Sequence, residues 1–301
     1  MTEKQKEYVI QYWVGLMDGD GSVQVNHWRK KGLQYRLVIK LRNDCEKRNI
    51  SLLEKIQKTI GGGVKKERSQ KNVIWVENHK KKICEIISHF QKYPPLTSRL
   101  FFQLQFLKEC MKKQDINWYL QNRNKKYEKF PKPPTLLLKS KNGYERYKGW
   151  ISGFIEAKGC FTCRNGSSKF KSFSISQKGE PVLLQQISQF FGSENKARKG
   201  VNKKQKNLLC GSPYGPPYGQ EGIPLPGVVA LPCVWPYGKG YQEGIPLPSN
   251  NLFVEDKYHQ QDFYILEIYN KDVLQNVISH CTLYPFYGEK NKSFLLFSKN
   301  L

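Results

Sequence analysis

The sequence predicts an α+β fold made of two copies of an αββαββα unit, each containing a four-stranded antiparallel sheet. The segment YWVGLMDGDGSV at residues 12–23 recurs, altered, as WISGFIEAKGCF at residues 150–161. A second pair follows in the same order, since IISHFQKYP at residues 86–94 matches VISHCTLYP at residues 277–285 in five of nine positions. After the final glycine of each first segment, the hydrophobic period changes from that of a helix to that of a strand. Repeats that keep their order within one chain indicate a duplicated domain.

The first copy opens with a helix predicted over residues 4–18. Tyr8, Tyr12 and Leu16 recur at helical spacing, and apolar residues cover more than half of the helix circumference. Such a helix must be buried on two sides. Gly15, in its middle, costs about 1 kcal/mol relative to alanine, which is acceptable where a second backbone approaches closely.

A β-hairpin is predicted next, because apolar and polar residues alternate over residues 22–26 and 33–42. One face is apolar and the other, apart from Val38, carries amide and basic side chains. Side chains of these types make bidentate contacts with base edges and bind phosphates. The candidate contact residues on this face are Gln24, Asn26, Gln34, Arg36, Lys40 and Arg42.

The remaining elements of the first copy follow from the same periodicities. They are a helix over residues 50–60, strands over 64–69 and 73–76, a helix over 82–91 and one long amphipathic helix over 97–121. We assign residues 1–122 to the first repeat and residues 149–301 to the second. Residues 123–148 are basic and contain three prolines, so we interpret them as a linker.

The second repeat contains a segment of different composition at about residues 205–250. It is rich in glycine and proline, nearly free of charge, and contains QEGIPLP twice, at residues 220–226 and 242–248. Such a composition does not sustain helix or strand pairing. We interpret it as an insertion between two strands of the second sheet.

The composition bounds the class of protein. The chain of 301 residues carries a formal net charge of +25 at pH 7. This favours a polyanionic partner, nucleic acid first, because each neutralised phosphate releases counterions; the alternative is a solvated lysine-rich surface. No run of 18 apolar residues occurs, so no membrane span is expected. The N-terminus lacks a secretory apolar core, and eight cysteines without a framework spacing indicate reduced thiols.

The two nonapeptides, WVGLMDGDG at residues 13–21 and ISGFIEAKG at residues 151–159, resemble the motif that names the LAGLIDADG homing endonucleases. The duplicated elements, the basic linker and the YP segments resemble its single-chain, two-motif members, over essentially the whole chain except the insertion. The resemblance implies that the motif helices pack at a pseudo-twofold interface and that the two sheets form a saddle on a long double-stranded DNA target. It also implies a monomer encoded in an organellar intron, with the mitochondrion favoured over the chloroplast, which fits the lack of a targeting segment.

The resemblance also implies the site residues. The eighth motif position is an acid that binds a divalent ion, Mg²⁺ or Mn²⁺, which assigns this role to Asp20 together with the backbone carbonyl of Gly19. One basic residue from each tail lies near the metals in the family, and Arg99 and Lys290 occupy the matching positions before Phe106 and Phe297. DNA contacts are expected from the sheet residues named above and, in the second repeat, from Arg164, Lys196 and Arg198.

Lys158 departs from the family pattern, since it stands where the second catalytic acid is expected. An ammonium in place of a carboxylate changes the local charge by two units, which at a few Å is worth several kcal/mol. Glu156 does not replace the acid, because two positions along a helix correspond to about 200° of rotation. We interpret Asp18 and Glu156 as structural acids at the helix ends.

Three interpretations of function remain open at this point. The first is a site-specific DNA endonuclease for intron homing that cuts both strands or nicks one. The second is an RNA maturase that assists the splicing of its host group I intron, a task that tolerates the loss of catalytic acids. The third is a catalytically inactive DNA-binding remnant.

Overall fold

A computed structural model describes residues 1–128, 141–164, 170–200 and 262–299 of the chain, without the side chains of 141–146, 164 and 170. The helices of the first repeat are α1 (Glu3–Gly19), α2 (Arg48–Ile60), α3 (Lys80–Ile86), α4 (His89–Lys92), α5 (Ser98–Lys113) and α6 (Ile116–Asn122). Its strands are β1 (Gly21–Trp28), β2 (Gly32–Arg42), β3 (Gly63–Lys66) and β4 (Asn72–Glu77). The described helices of the second repeat are α7 (Lys141–Lys158), α8 (Pro181–Phe190), α9 (Lys271–Leu283) and α10 (Lys290–Ser298). Its described strands are β5 (Gly159–Arg164), β6 (Phe170–Lys178), β7 (Arg198–Lys199) and β8 (Phe263–Ile268).

The two sheets share one topology. The strand orders are β1-β2-β4-β3 and β5-β6-β8-β7, and the neighbouring strands pair antiparallel. Gly21 opens β1 opposite Ile39, and Gly159 opens β5 opposite Ile175. Each motif helix is therefore followed by a hairpin in the same register. This confirms the predicted α+β fold with two four-stranded antiparallel sheets.

The motif helices α1 and α7 pack with their backbones in contact. A Cβ atom added to Gly15 would lie 2.0 Å from the carbonyl oxygen of Trp150, and one added to Gly153 would lie 2.0 Å from that of Tyr12. No side chain larger than hydrogen fits at either crossing point. This contact accounts for the mid-helix glycines and for α1 being buried on two sides, as predicted.

Each sheet buries one face against its helices. Tyr35, Leu37 and Ile39 alternate along β2 as buried residues, as the hairpin pattern predicts. In the second repeat Phe173 and Ile175 on β6 are likewise buried. The opposite face of β2 is exposed or half-buried. The alternation seen in the sequence thus follows from one covered and one open face.

Several predicted boundaries were wrong. The helix predicted over residues 97–121 is two helices, because Gln114 adopts a left-handed φ of 52° and the Asp115 side chain caps the next helix. The helix predicted over 82–91 is also two short helices, α3 and α4. Helix α7 begins at Lys141, inside the range assigned to the linker. The interpretation of residues 205–250 as an insertion lies outside the described residues.

The helices in the part of the chain that the structure describes fall short of a membrane span in length or in hydropathy. None of its helices is both long and apolar enough to cross a bilayer.

Candidate active site and nucleic-acid interface

Asp20 ends the first motif helix and opens into a cleft. It is the C-cap of α1, where its backbone N–H donates to the carbonyls of Leu16 and Met17. Its side chain keeps 27% of its surface exposed. The cleft has a volume of about 440 Å³, and the second repeat contributes Glu156 and Lys290 to its lining. The acid is thus accessible at the junction of the two repeats.

Lys158 ends the second motif helix and meets this acid directly. Its Nζ atom lies 2.8 Å from Oδ1 of Asp20, and its side chain is only 9% exposed. The ends of the two motif helices lie close together here. A Cβ atom added to Gly19 would lie 2.2 Å from the Cβ of Ala157 and 3.5 Å from Cγ of Lys158. The eighth motif residues of the two repeats therefore form a partly buried ion pair.

The ligands available where the two motif helices end suit one divalent ion, held by the first repeat and not by the second. Mg²⁺ is commonly held by one or two carboxylates, with substrate phosphates and water completing an octahedral shell. The Asp20 carboxylate fits such a site, and the Gly19 carbonyl is an oxygen of the right kind that also accepts from the Arg99 guanidinium at 3.5 Å. Lys158 does not fit, because an ammonium only donates hydrogen bonds. Within the described ranges, no three His, Cys, Asp or Glu side chains converge to form a ready cation site.

Asp18 is buried and holds the start of α5. Its carboxylate accepts hydrogen bonds from Leu96 N at 2.8 Å and from Thr97 N and Oγ1 at 3.1 and 2.6 Å. A fourth comes from the Trp150 indole in the second repeat, at 2.8 Å. Burial raises the pKa of Asp18, and these hydrogen bonds oppose the shift.

Glu156 has the matching role in the second repeat. It accepts from Gly288 N at 3.2 Å and from Lys290 N at 2.9 Å, at the start of α10. The Tyr12 hydroxyl of the first repeat donates to it at 2.7 Å. Burial raises its pKa, which these bonds again oppose. Both acids secure helix ends, in agreement with the structural role that we predicted.

Arg99 is bonded to the end of α1. Its guanidinium donates to the carbonyls of Gly21 at 2.7 Å, Asp18 at 2.8 Å and Met17 at 3.1 Å. It thereby neutralises the carbonyl end of the helix that carries Asp20. Its assignment as a catalytic residue stays a prediction, and its contacts support the orientation of that helix end.

Lys290 lies differently from its counterpart. It starts α10, is half-buried, and lines the cleft that contains Asp20. Among the described residues, its ammonium makes no hydrogen bond or ion pair, whereas Arg99 is bonded to α1. Of the two basic residues predicted from the tails, Lys290 is the one that lines the cleft, where its charge interacts with Glu156.

The open sheet faces carry the predicted DNA contacts. Lys40, Arg42 and Arg198 are in ion pairs with Glu67 at 2.7 Å, Glu289 at 3.0 Å and Glu267, respectively. Exposed pairs of this kind contribute only about 0–1 kcal/mol, so a phosphate can replace the carboxylate. The remaining predicted contacts are exposed Asn26, Gln34 and Lys196, half-buried Gln24 and Arg36, and Arg164, whose side chain is not described.

Sequence reasoning missed the residues that join the repeats at this site. Asn49 Oδ1 accepts from Glu289 N at 3.0 Å, and Glu180 Oε1 accepts from Ser98 N at 2.5 Å. Each lies at the start of the helix after a hairpin and reaches the tail of the other repeat. Aligning the two repeats pairs Asn49 with Glu180, a signal that could have identified them.

The raised pKa of Glu180 makes the stability of the fold depend on pH. Burial raises this pKa from an ordinary 4.5 to about 7. Between these values the folded state retains a proton that the unfolded chain has released, so this contribution is lost as the pH rises through about 7. We expect Glu180→Gln, which keeps the oxygen that accepts from Ser98, to reduce the loss of unfolding free energy between pH 5 and 8 by about 2 kcal/mol. Urea unfolding at several pH values measures this, and equal pH dependence in both proteins would contradict it.

Comparison with known proteins gives one family model and, among others, two similar sequences. A model of the LAGLIDADG endonuclease family matches residues 13–110. A relative from Dictyostelium citrinum, named "Probable intron-encoded endonuclease aI3", is 36% identical over 300 residues, covering 97% of this chain and 96% of its own. A relative of the same name from Dictyostelium discoideum is 32% identical and covers 99% of both chains.

A solved structure has the same fold. The crystal structure of the I-LtrWI LAGLIDADG homing endonuclease bound to target DNA superposes with a TM-score of 0.62. The match covers 98% of this chain and 89% of that one, at 17% sequence identity. At this identity the likeness concerns the fold.

Proposed function

This chain belongs to the LAGLIDADG endonuclease family, and we propose on that premise that it is a site-specific DNA endonuclease of the intron-homing type, which hydrolyses phosphodiester bonds and nicks one strand preferentially. The observation that carries the proposal is the pair of unlike motif ends, Asp20 and Lys158, which lie 2.8 Å apart, with Asp20 lining the cleft. An acid supplied by one repeat alone supports one-sided chemistry.

Binding is assigned to the open faces of the two sheets. Along β2 of the first sheet, basic and amide side chains alternate with buried apolar ones, and the chain as a whole carries +25. In the second sheet the corresponding face of β6 carries Ser172, Ser174 and Ser176. Phosphate contacts position a protein on the duplex, while amide and guanidinium groups read base edges. Two similar sheets suit a long double-stranded target, bound by a monomer.

The chemistry is assigned to the cleft. When bound, a divalent ion held by the Asp20 carboxylate and the Gly19 carbonyl would act as a Lewis acid toward a phosphate oxygen. Lys290 lines the same cleft and can stabilise the negative charge that develops on the phosphate. Arg99 fixes the helix end behind Asp20. Lys158 pairs with one carboxylate oxygen and reduces the negative charge that Asp20 presents.

The substitution Lys158→Glu tests the one-sided chemistry. It replaces an ammonium by a carboxylate beside Asp20. The substrate is supercoiled plasmid that contains the intron-insertion sequence, in the presence of Mg²⁺. We expect nicked circles from the original protein and more linear product from the variant. The two adjacent acids should also repel each other without metal, so the variant should melt at a lower temperature in EDTA and recover when Mg²⁺ is added.

Lys58→Glu is the matched control for this experiment. Lys58 lies exposed on α2 and outside the cleft. The substitution Lys58→Glu therefore makes the same change of charge, and we expect it to leave the product distribution unaltered. If Lys158→Glu gives the same nicked and linear fractions as the original protein, Lys158 does not occupy the second acid position.

An RNA maturase is the second candidate. The Asp20–Lys158 ion pair favours it, because neutralising the acid impairs hydrolysis but not binding to a polyanion. Stimulated splicing of the host intron by both the original protein and Asp20→Asn, without cleavage by either, would support the maturase over the endonuclease.

The proposed location is the mitochondrion. Relatives that match nearly the whole chain are named as intron-encoded endonucleases, and introns with such reading frames are typical of organelle genomes. The intron surrounding this reading frame would supply the DNA target and the candidate RNA.

A further inference from the structure

A buried hydrogen bond links the two motif helices near the cleft. The Tyr12 hydroxyl on α1 donates to Oε2 of Glu156 on α7 at 2.7 Å. Tyr12 is fully buried and Glu156 is 8% exposed. The same hydroxyl accepts from Tyr287 N at 3.3 Å. A tyrosine of the first repeat thus orients an acid of the second.

Glu156 in turn fixes the start of α10. Its two oxygens accept from Gly288 N and Lys290 N, which orient the first turn of that helix. A Cβ atom added to Gly288 would lie 2.6 Å from Oε1 of Glu156, so the backbone and the carboxylate are in close contact. Any shift of Glu156 would therefore move the segment from which the Lys290 side chain projects.

Lys290 is the basic side chain of that segment, and its charge interacts with Glu156. Both residues line the same cleft, and Arg99 is already bonded to the carbonyls of α1. Between Tyr12 and the cleft there are thus two short steps, one hydrogen bond to Glu156 and one from Lys290 N.

We propose that Tyr12 and Glu156 are positioning residues that hold Lys290 in the cleft lined by Asp20, so that a side chain of the first repeat positions the basic group supplied by the second. This inference rests on the proposed endonuclease function. The other side has an equivalent arrangement, but its basic side chain, Arg99, is bonded to the carbonyls of α1. On the other side Trp150 bonds to Asp18, which holds the start of α5 and hence Arg99.

Tyr12→Phe tests the inference with little loss of packing. We expect single-turnover nicking at saturating target DNA to slow about tenfold, because a hydrogen bond to a buried charged group is lost, while the dissociation constant for the target stays unchanged. Tyr8→Phe is the matched control. Tyr8 lies on the same helix and its hydroxyl donates to the carbonyl of Pro285 at 2.9 Å, without contacting Glu156. It should nick at the original rate.

Two further measurements separate positioning from a general structural role. If Tyr12 acts through Lys290, Tyr12→Phe in a Lys290→Met background should slow nicking no further than Lys290→Met alone. Amide hydrogen exchange of Gly288 and Lys290 should accelerate about tenfold in Tyr12→Phe and remain unchanged in Tyr8→Phe.

The outcomes are distinct. Additive effects of Tyr12→Phe and Lys290→Met, or an unchanged nicking rate in Tyr12→Phe, would overturn the positioning role. If the original protein nicks no DNA, the proposed function fails, and the exchange measurement still decides this inference: faster exchange in Tyr12→Phe supports the positioning of α10, and unchanged exchange refutes it.

Discussion

Asp20→Asn is expected to lower the rate of strand cleavage by about three orders of magnitude while target binding is retained. The asparagine keeps the shape of the side chain but removes an anionic oxygen from the cleft. Charge stabilisation by a correctly held metal is worth several kcal/mol, and each 1.36 kcal/mol is a factor of ten in rate. Single-turnover cleavage of plasmid DNA and a gel-shift titration in Ca²⁺ measure the two properties separately.

The matched control is Asp272→Asn, which neutralises an exposed acid at the start of α9. It should cleave at the original rate. Asp20→Asn removes the carboxylate that Lys158 contacts and gives the protein one more positive charge, so binding should be no weaker than before. Cleavage by Asp20→Asn within a factor of ten of the original protein would remove Asp20 from the reaction.

Gly15→Ala is expected to lower the free energy of unfolding by about 3 kcal/mol or more, the upper range for overpacking a core. The added Cβ would lie 2.0 Å from the Trp150 carbonyl oxygen and 2.8 Å from Phe154 N, and backbone atoms of a helix cannot move aside as a side chain would. The helices must separate, and with them Asp20 and Lys158. Chemical denaturation measures the loss, and cleavage should decline in parallel.

Gly32→Ala serves as the control for this change. Gly32 opens β2, and a Cβ atom added there meets nothing within 4 Å. The effect should remain within about 0.5 kcal/mol, as for most surface substitutions. Equal losses at the two positions would show that the helix contact does not explain the effect at Gly15.

The fold could be predicted from the sequence because the pattern of a motif helix followed by a hairpin occurs twice in the chain. Hydrophobic period is a local property, so the change at Gly21 and Gly159 marks where each helix becomes a hairpin. The mid-helix glycine also carries long-range information, since its cost makes sense only if another backbone lies against it. The structure supplies that backbone in Trp150.

The points at which helices end and the hydrogen bonds within the site could not be predicted in the same way. The helix over residues 97–121 ends early because Gln114 takes a left-handed conformation, to which a non-glycine residue gives no clear signal. The bonds from Arg99 to α1 join positions far apart in the chain. Its residue type is compatible equally with a phosphate contact, and only the folded geometry distinguishes the two.

The Asp20–Lys158 pair gives the protein a polarity that its fold does not have. The two sheets share one strand order, so the sheet topology alone does not distinguish the two halves of a DNA target. At the centre, however, one repeat presents a carboxylate and the other an ammonium. If the protein nicks DNA as proposed, a target with two identical half-sites would still be handled unequally, and the orientation in which the protein binds would decide which strand is attacked.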